Sequence, residues 1–329
     1  SVVKSNNLFI FNSNKMKKFL IQILLFSFTF FLFEKVFYVS LYVSPKLEID
    51  KRLEYIINGN MNKDLIVLGS SRGARNIIAS QIEDSLNISS YNLSYPGSDI
   101  EFHKFLLQSL IKYNEKPKIV LLVVDDNAEL LPSESINFRF DRLYPLAKYN
   151  YINNEMIERS KKSFLSKFFI LARINKLNFD IREKHFSALD TLKDCGSMPI
   201  SFQRENREFV FNNEKPSYDL DDELSVKIMA FNKFQDLCIS NNIKLIIVYP
   251  PNFKKHNILF ENRIEKLSYP KVSSIIHDTT NQVYKNKDYY YDEGHLKTNG
   301  AIIFTNDIIR QLKIKVRTHN NVYKKYAKQ

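Results

Sequence analysis

The sequence predicts an α/β protein: a doubly wound three-layer α/β/α domain with a mainly parallel sheet, an N-terminal transmembrane helix and a mostly helical insertion. Two observations predict this class. Short, uninterrupted apolar runs alternate with amphipathic helical patterns, as in parallel sheets that are buried on both faces. In addition, one long apolar run follows a group of lysines near the amino terminus. The chain has 329 residues, 44% of them hydrophobic, which is enough for one large domain with additional segments.

The first element is the amino-terminal apolar segment, "KMKKFLIQILLFSFTFFLFEKVFYVSLYVSP". Lysines precede 15 uncharged residues, 19–33, and a second apolar piece, 36–43, follows Glu34 and Lys35. A membrane span needs about 20 residues, so the two pieces reach that length together if Glu34 and Lys35 lie near the interface, where such side chains snorkel. We therefore expect a signal anchor over residues 16–44, with its basic end in the cytoplasm.

A cleaved signal peptide is the alternative interpretation of this segment, because a basic start followed by an apolar core fits one. No Ala-x-Ala site follows the run, and bulky aromatic residues occupy its place, which favours the uncleaved anchor. Met16 is followed by two lysines and is the expected true start, so residues 1–15 would be an upstream extension. A polar connector, residues 45–63, leads into the α/β domain.

The α/β domain is predicted over residues 64–312, with the insertion at about 130–221. We expect strands at 65–69, 90–95, 118–124, 243–251 and 289–291, helices at 75–86, 99–113, 222–241 and 258–268, and a last helix that Thr298 can cap. Inside the insertion, residues 159–179 predict an amphipathic helix with a cationic face. This helix would rest on a membrane surface or frame a substrate groove; packing onto its own domain is the simpler alternative. A basic tail, 313–329, is expected to be solvated.

The composition limits the expected partners and cofactors. The formal net charge of +12, from 48 Lys and Arg against 36 Asp and Glu, suits an anionic partner. The charges are scattered and match no nucleic-acid-binding module, so we expect no nucleic acid. Cys195 and Cys238 lack metal-ligand spacing; a buried thiol is expected for Cys238, with a single long-range disulfide as the alternative. With seven glycines and no phosphate-binding loop, no metal or nucleotide cofactor is expected.

Three loops that follow predicted strands carry candidate catalytic groups. Ser71 lies in "GSS" after the first strand, Gly97 lies in "NLSYPGSD" after the second, and Asp292 and His295 lie in "DEGH" before the last helix. Ligands bind outside the carboxyl ends of parallel strands, so we expect these residues to lie close together. A serine, an imidazole and a carboxylate are the groups of a serine nucleophile and its base. Each loop taken alone is also an ordinary turn.

Together these motifs resemble the conserved blocks of the SGNH (GDSL-like) hydrolase superfamily. "LGSSR" is similar to the first block, with Ser70 in place of the usual aspartate. The resemblance implies that Ser71 is the nucleophile, His295 the base and Asp292 the acid of a triad. It also implies that the N–H groups of Ser71 and Gly97 form the oxyanion hole.

The resemblance covers roughly residues 64–126 and 222–312, and the third block departs from the family pattern. The family has Gly-x-Asn-Asp there, whereas this chain reads "VVDDNAEL". Asn127 would supply the second oxyanion donor with a shift of one residue, while Asp125 or Asp126 near the oxyanion would oppose negative charge. Loss of one such donor costs about 100- to 1,000-fold in rate. A catalytically impaired SGNH-fold protein that binds glycan, or scaffolds a polysaccharide biosynthesis complex, is therefore the alternative.

Within the superfamily, "GSSR", "YNLSYPG", the single anchor and the "YPP" that ends a late strand are similar to bacterial envelope members. These are relatives of alginate O-acetylation and D-alanyl-lipoteichoic acid biosynthesis proteins. The resemblance implies an esterase or O-acyltransferase held in the cytoplasmic membrane, with its catalytic domain outside. Its partner would be an envelope glycan or a teichoic-type polymer. A separate membrane protein would deliver the acyl group, since one helix cannot.

Overall fold

The computed structural model describes residues 13–179, 187–203 and 208–326. The four- to six-residue apolar runs form strands because their side chains are buried on both faces. The strands are β1 Leu65–Leu68, β2 Ser90–Asn92, β3 Ile119–Val123, β4 Lys244–Tyr249 and β5 Ser273–Ile276. The α-helices are α1 Ser13–Glu34, α2 Tyr38–Leu47, α3 Arg52–Ile57, α4 Ser71–Asn76, α5 Ala79–Leu86, α6 Ile100–Tyr113, α7 Phe140–Leu143, α8 Asn150–Glu158, α9 Ile170–Arg173, α10 Ser225–Ser240, α11 Ile258–Leu267 and α12 Thr298–Tyr326.

The five strands form one sheet in the order β2-β1-β3-β4-β5, and every neighbouring pair is parallel. Leu65 of β1 pairs with Ser90 on one side and with Ile119 on the other. The chain therefore places β2 on one side of β1, and β3, β4 and β5 in succession on the other side. In open parallel sheets, this reversal is the point at which loops from two strands meet at the carboxyl edge. The predicted parallel α/β arrangement is confirmed.

A continuous hydrophobic core holds α5 and α12 against the sheet. Alternate strand residues such as Val67, Leu121 and Val248 are fully buried in it, together with Phe304 and Ile308 of α12. Burial of a large apolar side chain contributes about 1.5–3 kcal/mol relative to exposure. This core therefore fixes the β1 and α12 ends, from which two of the candidate site loops extend.

The chain divides into two compact units. The first unit comprises Ser1–Ile49 and Phe140–Lys184, and the second comprises Asp50–Arg139 and His185–Gln329. Of the described residues in the predicted insertion, 140–179 belong to the first unit, and 130–139, 187–203 and 208–221 belong to the second. The predicted upstream extension lies outside the described residues up to residue 12, as do residues 327–329 of the tail.

Among the described residues of the first unit, one helical segment is long and apolar enough to cross a membrane. It runs over Lys15–Lys46, has a mean hydropathy of 1.8 in its most apolar window, and is almost entirely exposed. Length and composition thus agree with the predicted span. Residues 159–179 of this unit do not form the single amphipathic helix predicted from their spacing. They form two 3-10 helices, Phe164–Lys167 and Lys176–Phe179, with the short α9 between them.

Two other expectations about elements are wrong. The predicted strand at 289–291 is absent; a 3-10 helix covers Lys287–Tyr289, and Tyr290 makes an isolated antiparallel bridge to Leu296. The fifth strand is β5, which the sequence pattern did not reveal. The predicted helix over 75–86 is split, because Ile77 and Ile78 are extended. Both cysteines are free, and Cys238 is buried as expected.

Candidate active site

Ser71 is positioned by the tight turn between β1 and α4. A side chain at Gly69 would approach within 2.8 Å of the Val123 Cβ and 2.9 Å of its carbonyl oxygen, so only glycine allows β1 to turn this close to β3. Ser70 is the N-cap of α4, and its hydroxyl accepts from the N–H of Arg72 at 3.5 Å. Ser71 is therefore the first residue of α4 and is half-buried at the carboxyl end of β1.

A continuous series of hydrogen bonds joins Ser71, His295 and Asp292. Nε2 of His295 lies 2.8 Å from the Ser71 Oγ. Nδ1 of His295 lies 2.8 Å from one carboxylate oxygen of Asp292 and 3.0 Å from the other. A carboxylate accepts only, so Nδ1 carries the proton and Nε2 is left to accept from the serine hydroxyl. These are the distances and the tautomer that a serine nucleophile and its general base require.

The Asp292 carboxylate is held by its own loop. Its Oδ1 accepts from the N–H groups of Gly294 and His295 at 2.9 Å each, in addition to the imidazole. Burial alone would raise the pKa of Asp292, but the hydrogen bonds and the attraction of His295 outweigh it and lower the pKa to about 2. The loop is closed by the N–H of Tyr291, which donates to the His295 carbonyl at 2.8 Å. Asp292 is thus an ionised, fixed acceptor for the imidazole.

Two buried asparagines fasten the serine helix to the neighbouring loops. The Asn76 side chain, at the end of α4, accepts from the N–H of Leu296 at 2.9 Å, directly after His295. The Asn92 amide donates to the carbonyl oxygens of Gly73 and Ile77 at 2.9 and 3.0 Å. Both asparagines are fully buried. Neither asparagine is predictable from sequence, because hydrogen bonds from side chain to backbone leave no periodic pattern; "GARN" contains Asn76 without any distinguishing feature.

The turn that carries Gly97 lies against the Ser71 turn. The N–H of Tyr95 donates to the Gly69 carbonyl at 3.0 Å, and the Ser98 hydroxyl donates to the same carbonyl at 3.2 Å. Gly97 has a φ of +75°, and the N–H of Ser98 closes a β-turn onto Tyr95, so glycine is the expected residue there. Within the described residues, no protein acceptor takes up the N–H of Gly97 or of Ser71. Both donors are available to a ligand.

Asn127, in the loop that follows β3, does not join these residues. The Asn127 amide donates to the Ser217 carbonyl at 2.8 Å, and its side-chain oxygen accepts from Asn257 at 2.7 Å. No hydrogen bond joins it to the other four candidate residues in the described part of the chain. The amide that the family resemblance implied as an oxyanion donor is therefore bonded elsewhere in this conformation.

The two aspartates of this loop each face a cation. Asp126 forms a 2.5 Å ion pair with Lys254, and Asp125 lies 3.8 Å from the buried guanidinium of Arg72. Burial raises the pKa of Asp125 to about 7, although the attraction of Arg72 opposes the shift. The charge of Asp126 is thus paired with Lys254, whereas burial of Asp125 outweighs its attraction to Arg72 and favours the protonated form of this carboxyl.

Buried polar side chains that no sequence motif indicates lie between the Gly97 turn and the loop that follows β3. The Ser98 Oγ lies 2.9 Å from Nε2 of His103, whose Nδ1 lies 3.7 Å from a carboxylate oxygen of Glu129. The other oxygen of Glu129 accepts from the N–H of Asp125 at 2.9 Å. Ser98, His103 and Glu129 are fully buried. The hydrogen bonds of Ser98 and Glu129 therefore fix the Gly97 turn and the backbone of Asp125, and none of the three side chains reaches solvent.

The sequence matches no protein-family model and no curated protein at a significant level. Within the described residues, no group of three His, Cys, Asp or Glu side chains is placed to hold a metal ion. The site itself consists of a serine hydroxyl hydrogen-bonded to an imidazole, an ionised carboxylate behind that imidazole, and two backbone N–H groups that no described protein acceptor takes up.

Proposed function

We propose that this protein is a membrane-anchored serine esterase or O-acyltransferase with an SGNH-like catalytic domain. The single observation that carries the proposal is the series of hydrogen bonds from the Ser71 Oγ through His295 to Asp292, at 2.8 Å for each shortest contact. The "LGSSR" and "DEGH" motifs support it from sequence. The packing of α6 on α10, and of α5 on α12, supports helical layers on both faces of the sheet.

In the first half-reaction, the Ser71 Oγ attacks the carbonyl carbon of an acyl ester while Nε2 of His295 takes the hydroxyl proton. The resulting imidazolium is stabilised by Asp292, which remains ionised because its pKa is about 2. The tetrahedral intermediate collapses when Nε2 returns the proton to the departing alcohol oxygen. The acyl group is then left on Ser71 as an ester.

Negative charge on the former carbonyl oxygen is stabilised by backbone donors. The N–H groups of Ser71 and Gly97 serve as these donors, since neither is used by a described protein acceptor. The amide of Asn127 does not contribute while it donates to Ser217. With two donors instead of three in the oxyanion hole, kcat is expected to be about 100- to 1,000-fold lower.

In the second half-reaction, His295 activates either water or a sugar hydroxyl, which attacks the acyl-serine and regenerates the free enzyme. Resemblance to envelope acylation proteins supports an extracytoplasmic glycan or a teichoic-type polymer as the acyl acceptor or substrate. If the acyl group is transferred, a separate membrane protein must supply it outside the membrane.

The apolar segment Lys15–Lys46 is the proposed single-pass anchor in a bacterial cytoplasmic membrane. The lysines that precede residues 19–33 support a cytoplasmic amino-terminal end, because basic residues are retained on that side. The second unit, which contains the candidate site, would then lie outside the cytoplasm, where envelope polymers are located.

A fluorophosphonate probe tests the proposed nucleophile in the full chain. We expect labelling of the wild-type protein and no labelling of Ser71→Ala or His295→Ala. His256→Ala is the matched control, because His256 is a half-buried histidine bonded to a carboxylate, Glu261, at 2.5 Å. That variant is expected to label like wild type. A folded wild-type protein that does not label would overturn the proposal.

The hydrogen bonds that hold Asn127 away from the candidate oxyanion hole favour one alternative function. With Asn127 bonded to Ser217 and Asn257, the protein would retain the fold to bind an envelope glycan, or to scaffold a biosynthetic complex, without turnover. The same labelling experiment separates the two functions, since a binding protein needs no reactive serine. Retention on an immobilised acylated glycan without probe labelling would support the alternative.

A further inference from the structure

The first unit carries an apolar patch for which the candidate active site gives no role. Its members are Phe164, Leu165, Phe168 and Leu171, which are 59%, 57%, 56% and 42% exposed. The rings of Phe164 and Phe168 contact each other edge to face, with centroids 5.6 Å apart. We call these four residues the aromatic patch. Four large exposed apolar side chains within eight residues are unusual on a surface that faces water only.

The aromatic patch is fastened to the end of the apolar helix α1. The Glu34 carboxylate accepts from the N–H groups of Ile170 and Leu171 at 2.8 and 3.2 Å. The Lys35 ammonium donates to the Phe168 carbonyl at 2.8 Å. The patch is therefore held at the level of Glu34 and Lys35 along the helix.

That level corresponds to the edge of a bilayer. The uncharged run before Glu34 has 15 residues, about 22 Å of helix, whereas the hydrocarbon core is about 30 Å thick. With the lysines at one boundary of the core, Glu34 therefore lies about 8 Å inside the other boundary, within the roughly 5–10 Å to which interfacial segments insert. Its side chain is fully buried and bonded to Lys35 and to the patch backbone, so its charge is satisfied without water.

The composition around the patch fits the zone between hydrocarbon and headgroups. Lys161 and Lys167 are exposed, and the Lys167 ammonium lies 4.9 Å from the centre of the Phe164 ring. Apolar side chains flanked by lysines are typical of segments that lie in the membrane interface beside anionic lipids. Short helical turns with internal hydrogen bonds, such as the bond from the Phe169 N–H to the Leu165 carbonyl, suit the interface better than the apolar core.

We propose that residues 164–171 insert into the interface of the lipid bilayer beside the anchor, with the aromatic patch in contact with acyl chains and the lysines in contact with anionic headgroups. The inference rests on the proposed membrane anchor. It gives the first unit a second attachment to the membrane, which fixes the rotation of the anchor as well as its depth.

The chain contains no tryptophan, so single tryptophan substitutions report local depth without background. The experiment uses the full-length protein in vesicles of phosphatidylcholine and phosphatidylglycerol, with and without brominated acyl chains. Phe168→Trp reports on the patch, and Phe26→Trp, inside the apolar run and 72% exposed, reports on the anchor. Leu220→Trp is the matched control, because Leu220 is 58% exposed among acidic residues that an anionic surface repels.

We expect Phe168→Trp to show blue-shifted emission and to lose most of its intensity to bromines placed near the headgroups. Phe26→Trp should be quenched best by bromines deeper in the chains, and Leu220→Trp only by aqueous acrylamide. The proposal is overturned if Phe168→Trp behaves like Leu220→Trp while Phe26→Trp is quenched by lipid. If Phe26→Trp is also unquenched, the anchor itself fails, and the inference fails with it.

Discussion

Asp292 is the residue on which the orientation of the proposed base depends. Its carboxylate accepts three hydrogen bonds from Gly294 and His295, and its pKa is lowered to about 2. The group is therefore charged at pH values well above 2. Protonation of Asp292 does not set the acid limb of a pH–rate profile above about pH 4.

Asp292→Asn is expected to lower kcat for p-nitrophenyl acetate hydrolysis by about 10⁴-fold, because an amide no longer selects the imidazole tautomer with the proton on Nδ1. Thermal unfolding should show that the protein remains folded. The control is Glu293→Gln, the same chemical change on the exposed neighbouring residue, which should leave kcat within a few-fold of wild type. Equal losses in the two variants would contradict the assigned role.

Asp125 is one of the residues that couple stability to pH. Burial raises its pKa from the usual 3.8 to about 7 in the folded protein. A raised folded-state pKa gives stability that is fully present below the unfolded value and is lost as pH rises through the folded value. The free energy of unfolding should therefore fall between about pH 4 and pH 7, by up to about 1.4 kcal/mol per pH unit from this group.

Asp125→Asn should remove this part of the pH dependence and make the protein more stable than wild type above pH 7. The measurement is denaturant unfolding of the detergent-solubilised protein at pH 5 and pH 8. Asp126→Asn is the matched control, because that carboxylate pairs with Lys254 on a partly exposed surface. If the free energy of unfolding of Asp125→Asn changes between pH 5 and pH 8 by as much as that of the wild type, the assignment is contradicted.

At the scale of elements, α4 is held between two loops by side-chain amides. The Asn76 side chain accepts a hydrogen bond from the loop that carries His295. The Asn92 amide donates to the carbonyl oxygens of Gly73, within α4, and of Ile77, just after it. Gly73 also approaches the β2 loop so closely that a Cβ would lie 2.5 Å from the Ser94 Oγ. The distance between Ser71 and His295 is therefore set by α4 and not by either catalytic loop alone.

Asn76→Ala is expected to destabilise the protein by about 1–3 kcal/mol, because the buried N–H of Leu296 loses its acceptor. Labelling of Ser71 by the fluorophosphonate probe should slow as the His295 loop loses its position. The control is Asn306→Ala on the exposed face of α12, which should change stability by no more than about 0.5 kcal/mol. A normal labelling rate in a destabilised Asn76→Ala protein would show that the bond is structural only.

The elements that sequence patterns predicted are those with long apolar runs. The strands β1, β3 and β4 are buried along nearly their whole length, so each gives a continuous apolar signal. The edge strand β5 was missed because only Ile275 is fully buried. Residues 289–291 gave a false strand, because consecutive tyrosines favour strands although only a single bridge forms there.

The site could be predicted in part for a related reason. Ser71, Gly97 and the Asp292 loop occupy the ends of elements whose order the sequence reveals. The positions of Asn127 and Asn76 depend instead on hydrogen bonds to backbone groups that are distant in sequence. No local sequence pattern encodes such contacts, so neither the hydrogen bonds of Asn127 nor those that hold α4 could be predicted from sequence.

At the scale of the whole molecule, the proposed topology places the second unit outside the cytoplasm. Externally added protease should degrade this unit in intact spheroplasts, while a cytoplasmic marker protein stays protected. Protection of the second unit until the cells are lysed would contradict an extracytoplasmic catalytic domain. An anionic partner attracted by the net charge of +12 would then have to be sought inside the cell.

The most direct test of the central claim is to identify the residue that the fluorophosphonate modifies in the full-length protein. Fragmentation of the modified peptide by mass spectrometry distinguishes Ser71 from its neighbour Ser70, whose hydroxyl caps α4. The hydrogen bond from the Ser71 hydroxyl to His295 at 2.8 Å predicts a single adduct on Ser71, and none when His295 is replaced by alanine. An adduct on Ser70 or on any other residue, or a folded protein without an adduct, would contradict the account.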